Sequence, residues 1–105
     1  MERGEIWWAS LPPPIGTHPV LLLSRDQVYR VRRSASVAVV TSTIRGIPVE
    51  VPLGPEDGMP RRCAVNCDDV QTVAMELLDN RITHLSAAKM ESVADAVRFA
   101  LDVEC

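Results

Sequence analysis

The sequence predicts an α+β domain: a small, curled, barrel-like sheet of short strands covered by one C-terminal helix. Three observations predict it. Short apolar runs broken by Pro- and Gly-rich segments fill most of the chain up to Leu85. The hydrophobic period then lengthens to that of a helix near the C-terminus. The chain has 105 residues, 47% hydrophobic and 24% charged, enough for one modest core. An early run of strands followed by a closing helix gives this class, and residues 1–105 are expected to form one domain.

Glu5-Ile6-Trp7-Trp8-Ala9 reads as the first strand, with its two tryptophans on opposite faces. One of them is expected in the core, the other at a contact or stacked on a base. Pro12-Pro13-Pro14-Ile15-Gly16 is a loop, because consecutive prolines have no ladder donors. Residues 19–24 form a second strand, and four successive apolar residues predict burial on both faces. The basic loop Arg30-Val31-Arg32-Arg33 leads to a third strand, residues 37–42. Residues 49–53 alternate and read as a fourth, with Pro52 pushing it to an edge. A turn at residues 54–58 follows, then strands at 63–67 and 81–85. Ser86 is placed to cap the closing helix. Its stripe is Met90, Val93, Val97 and Ala100/Leu101, and Leu85 can staple against Met90.

Charge and cysteine content narrow the function classes. Residues 1–65 carry eight arginines against six acids, a balance of +2. Residues 66–105 carry three basic residues against eight acids, a balance of −5, so the net charge is −3. Nonspecific duplex binding is therefore disfavoured, while a local arginine-lined groove is not. No apolar run approaches the ~20 residues a bilayer span requires. The N-terminal MERGEIWW has no signal-peptide pattern, so a reducing cytoplasm is expected. Cys63, Cys67 and Cys105 are then free thiols, and with two scattered histidines they make a poor zinc site.

Several segments in order resemble one family. Arg3-Gly4-Glu5-Ile6-Trp7-Trp8 is similar to the N-terminal signature of the MazF/PemK toxins. The likeness continues through residues 18–24, 39–51, 65–72 and 81–85, and takes in the final helix. The resemblance implies an SH3-like barrel of the CcdB/PemK/MazF type and a homodimer. It implies metal-independent, sequence-specific cleavage of single-stranded RNA, with no cofactor and no membrane association. It also implies a cognate antitoxin that occupies the RNA groove.

Such cleavage has a simple physical basis. RNA carries its own nucleophile, the 2′-hydroxyl beside each phosphodiester, and holding it in line removes several kcal/mol of barrier. The protein must orient the phosphate, stabilise charge on its oxygens and move two protons. In the family an arginine before the second-strand proline and a threonine ending the third strand serve these needs. Thr41 matches the threonine, although a β-branched residue at a strand end needs no such role. His18 stands at the arginine position. Histidine lacks the guanidinium fork that grips phosphate twice, yet it exchanges protons near neutrality, which arginine does poorly. His18 is therefore read as an acid/base, against three alternatives: a cation supplied elsewhere, a weakened enzyme, or a plain loop histidine.

The resemblance also assigns RNA contacts to Gly16, Thr17, Arg25, Ser42, Arg45 and Asp69. Arg25 replaces an asparagine common in the family and would add a cation. Seven residues of strand separate it from His18, so a neighbouring phosphate or base is its expected target, unless it merely pairs with Asp26. Asp69 stands where many relatives carry glutamine, which would alter base preference. Asp68 is read as structural. Arg30, Arg32 and Arg33 track the RNA backbone or form a solvated face, and Arg61 and Arg62 read equally well as an exposed turn. Two other functions compete. One is a gyrase-poison-like binding module, whose helix would end in a tryptophan signature absent from residues 98–105. The other is an inactive decoy for antitoxins.

Overall fold

The computed structural model describes residues 1–102. Six strands and two helices follow one another: β1 (Glu5–Ser10), β2 (Thr17–Leu22), α1 (Val28–Val31), β3 (Ser34–Thr41), β4 (Glu50–Leu53), β5 (Cys63–Ala74), β6 (Leu78–His84) and α2 (Ala87–Leu101). All strand pairs are antiparallel, in the order β4-β5-β3-β2-β1-β6. The sheet curls into a half-barrel that leaves β4 and β6 as its edges. Pro52 lies on edge strand β4, where its missing donor costs no central ladder bond.

Central strand β2 is buried on both faces, as its apolar run predicts: Val20, Leu21 and Leu22 are all fully buried. Leu21 joins one cluster with Ile6, Val40, Val65 and the helix residues Val93 and Ala96. Val20 and Leu22 join a second with Ala9, Val37, Val39 and Leu78, flanked by Trp7, Ile15 and Tyr29. Helix α2 covers the first cluster. Ser86 Oγ accepts from the Lys89 N–H at 3.1 Å and caps it, and Leu85 is buried beneath. Met90, Val93 and Val97 face the sheet as expected, with Ala96 added and Leu101 left exposed.

Strands β3 and β6 each begin three residues earlier than expected, at Ser34 and Leu78, and three further details differ. The segment around Arg30 contains α1, a single helical turn, rather than a plain loop. Strand β5 runs on to Ala74 instead of ending at Cys67. Its pairing with β3 jumps from Val39↔Asn66 to Ala38↔Val70, so a bulge at residues 67–69 interrupts the alternation that marks a strand. Strand β2 begins two residues earlier than expected, at Thr17, because the β1 hairpin pairs Ser10 with Thr17 and Ala9 with His18. Cys105 lies outside the described residues, while Cys63 and Cys67 are buried free thiols. Among the described residues no helix is long and apolar enough to cross a membrane.

Candidate active site

Strands β2 and β3 pair through Val20↔Val39. Two residues further along each strand stand His18 and Thr41. Both open into one cleft of about 150 Å³ at this end of the sheet. Thr17 and Ser42, the next residues outward on each strand, line the same cleft. Its remaining walls come from Trp8 on β1 and from the segment that enters β5.

His18 is half-buried, and its Nδ1 is buried with no hydrogen-bond partner among the described residues. No neighbour therefore fixes which ring nitrogen carries the proton. Thr41 is held differently. Its Oγ1 accepts from the Thr43 N–H at 3.1 Å. That contact uses an acceptor lone pair and leaves the hydroxyl proton free to donate outward. A cleft with an imidazole, three hydroxyls and a guanidinium offers donors to an anionic oxygen. No carboxylate lines it among the described residues, which favours an anionic guest.

The guanidinium belongs to Arg61, which the sequence left as part of an exposed turn. Register explains its arrival. Thr41 pairs with Ala64 and Leu53 with Cys63, so the first residues of β5 start beside the end of β3. The residues just before them are drawn to the same end. An antiparallel pairing of the third and fifth strands would have been the signal. Trp8, the more exposed of the two tryptophans at 36%, presents its ring to the cleft, whereas Trp7 packs towards the core. Cys63 also lines the cleft; burial and Asp57 push its thiol up, with Arg61 opposing.

The other expected RNA contacts are not in this cleft. Gly16 is next to Thr17 at the hairpin tip, in the left-handed backbone region at φ +72°. Arg25 lies beyond the far end of β2 and is exposed. Arg45 is tied to buried Glu50, its Nε donating to Oε2 at 3.1 Å. Asp69 sits in the β5 bulge and accepts from Gln71 Nε2 at 2.8 Å. A larger groove of about 380 Å³ runs between β4 and α2, but Glu50 and Asp95 on its walls make it a poor host for phosphate.

A curled antiparallel half-barrel, closed by a C-terminal helix and carrying a carboxylate-free cleft at its strand ends, defines a small α+β domain suited to an anionic ligand. Residues 2–101 match the family described as PemK-like, MazF-like toxin of type II toxin–antitoxin system, and the chain belongs to that family. It is 44% identical over 101 residues to the probable endoribonuclease MazF5 of Mycobacterium tuberculosis, covering 95% of this chain and 92% of that one. The fold superposes on the solved Mycobacterium tuberculosis toxin MazF-mt6 with a TM-score of 0.88 at 32% identity, covering 96% and 99% of the two chains. A mycobacterial endoribonuclease solved in complex with its cognate antitoxin shares the fold at a TM-score of 0.87 and 24% identity, covering 100% and 98%.

Proposed function

We propose that the chain is the toxin of a type II toxin–antitoxin pair and a sequence-specific endoribonuclease acting on single-stranded RNA. Family membership and the endoribonuclease relatives support the activity. The observation that carries the site is one cleft holding His18 and Thr41 with no carboxylate beside them. A cognate antitoxin and a second copy of the chain are the proposed protein partners. Exposed Val70 and Phe99 leave apolar surface for such assembly. The cytoplasm is the proposed compartment, in keeping with reduced Cys63 and Cys67.

In the proposed reaction the scissile phosphate rests between the ends of β2 and β3. The ribose 2′-oxygen attacks phosphorus in line, forming the O2′–P bond while the P–O5′ bond breaks. His18 exchanges protons with the two oxygens: one leaves the 2′-hydroxyl and one reaches the departing 5′-oxygen. Thr41 donates its free hydroxyl proton to a non-bridging oxygen as charge builds there. The products are a 2′,3′-cyclic phosphate and a 5′-hydroxyl. Thr17 and Ser42 flank the reacting group, and Gly16 lets the hairpin tip approach the RNA backbone closely. Arg25 and Asp69 contact nucleotides further along, and Arg45 supports the groove through Glu50. Charge stabilisation here rests on side chains, so cleavage is expected to persist in EDTA.

The test is end-mapping after brief incubation of the purified protein with a long single-stranded transcript in EDTA. Cuts with 5′-hydroxyl ends at a recurrent sequence are expected. Thr41→Ala should slow them on the order of 10²-fold, the loss typical of one oxyanion donor. Undiminished cutting by Thr41→Ala removes the site assignment. Blocked DNA supercoiling with no RNA cuts would favour the gyrase-poison reading instead.

A further inference from the structure

We propose that Arg61 is a catalytic residue of this chain: its guanidinium grips the scissile phosphate with the forked, charged contact that the imidazole of His18, standing before Pro19, does not make. The inference rests on the cleft being the site of RNA cleavage.

Several arginines compete for this task, and position eliminates the others. Arg45 is spent on buried Glu50. Arg81 and Arg98 are paired with Glu5 and Asp95. Arg3 donates to the Leu23 carbonyl at the far end of β2. Arg25 lies beyond that same end, and Arg32 and Arg33 line a separate hollow with Glu76. Arg61 alone among the arginines lines the cleft with His18 and Thr41, and it makes no ion pair among the described residues.

The segment that carries Arg61 is anchored on both sides. Residues 55–57 form a 3₁₀ turn in which the Gly54 N–H donates to Asp57 Oδ2 at 3.0 Å. Thr83 Oγ1 donates to the Asp57 carbonyl at 2.9 Å, and Lys89 Nζ lies 3.6 Å from Asp57 Oδ1. Met59 is buried in the main core, Pro60 stiffens the next position, and Cys63 begins β5. The anchored flanks thus set Arg61 at the cleft wall, where its unpaired guanidinium can meet an anion.

Charge and proton transfer are thereby divided. Arginine holds its proton and presents two parallel donors to the phosphoryl oxygens, while the imidazole is left to move protons. In relatives with arginine before the proline, one side chain would have to serve as the cation at that point. Here two side chains, one on β2 and one on the segment that leads into β5, share the duty.

The test uses the full chain and an RNA oligonucleotide spanning a mapped cut, with kcat and KM measured separately. Arg61→Ala should lower kcat by about 10²-fold or more, the scale for a lost transition-state donor, with little change in KM. Arg61→Lys should keep an intermediate rate, because charge remains and the fork is lost. Arg62→Ala, one residue away and outside the cleft, should cut like the wild type. Thermal melting of each variant separates a folding defect from a catalytic one, and Arg61→Lys reports even if the alanine variant melts early. If the wild type cuts and Arg61→Ala cuts within about twofold of it, the proposal is overturned. A loss confined to KM, or an equal loss in Arg62→Ala, also overturns it. A wild type that makes no cuts defeats the cleavage reading itself, and that result is distinct from either.

Discussion

His18 departs from the arginine that the family resemblance implies, and the role proposed for it is proton transfer. Its Nδ1 has no partner among the described residues, so no third group locks it in one tautomer. His18→Gln keeps a hydrogen-bonding side chain but removes proton exchange. It should cost roughly 10²-fold or more in kcat, the usual contribution of a general acid/base, and change the shape of the pH–rate profile. His18→Arg should restore a cation and still leave that shape changed. A profile unchanged by His18→Gln would dispose of the acid/base role. Most of this cleft's polar lining could be read from the sequence. Thr17, His18, Thr41 and Ser42 were placed by resemblance to strand ends, and the structure brings all four into one cleft. Arg61 could not be read, because its place depends on how β3 and β5 register, a pairing across twenty-odd residues that local pattern does not encode. Arg45 shows the same limit: its partner Glu50 is close in sequence, but only folding buries that carboxylate and ties the guanidinium to it.

Elements were legible where period and breakers agreed. Strand β2 and helix α2 are strongly patterned, and both stand where expected to within about two residues. Strand β5 was cut short because its bulge breaks the two-residue period just after Cys67. The 3₁₀ turn was recognisable only as Gly- and Pro-rich punctuation. It closes on Gly58, at φ +89°, over which Thr83 packs closely. A Cβ there would lie 2.3 Å from Thr83 Oγ1, and the left-handed backbone alone costs an ordinary residue about 1–2 kcal/mol. Gly58→Ala should therefore lower stability by at least ~1–2 kcal/mol. It should also break the Thr83–Asp57 bond and slow RNA cutting at a temperature where the protein is still folded, since Met59 and Arg61 move with the turn. Chemical unfolding and cleavage assays on the same preparation check both. A variant as stable and as active as the wild type would show that the turn tolerates a side chain and does not set the cleft.

At the scale of the whole molecule, two buried carboxylates hold the starts of β1 and β4. Glu5, at the start of β1, receives the Trp7 Nε1–H at 2.9 Å, the Glu2 N–H at 3.2 Å and Arg81 of β6 at 3.2 Å. Glu50, at the start of β4, receives the Arg45 N–H at 2.8 Å, the Gly46 N–H at 3.0 Å and the Arg45 guanidinium. For each, burial opposes ionisation, but the hydrogen bonds overcome it and hold the carboxyl below its ordinary value of 4.5. A carboxyl depressed on folding adds stability above its unfolded pKa, and that stability is lost as pH falls through the folded value. Both strands they anchor sit next to or at a sheet edge, so their protonation loosens β6 against β1 and the loop that precedes β4. Unfolding free energy by urea titration should thus hold level at neutral pH and decline below about pH 4.5. Glu5→Gln and Glu50→Gln should each be less stable than the wild type at pH 7, because an amide cannot accept from every donor now facing the carboxylate. Each should show a shallower decline in acid, and the double variant the shallowest. A wild type whose stability is flat from pH 7 to pH 3, or variants that decline as steeply as it does, would mean these two carboxylates do not govern acid unfolding.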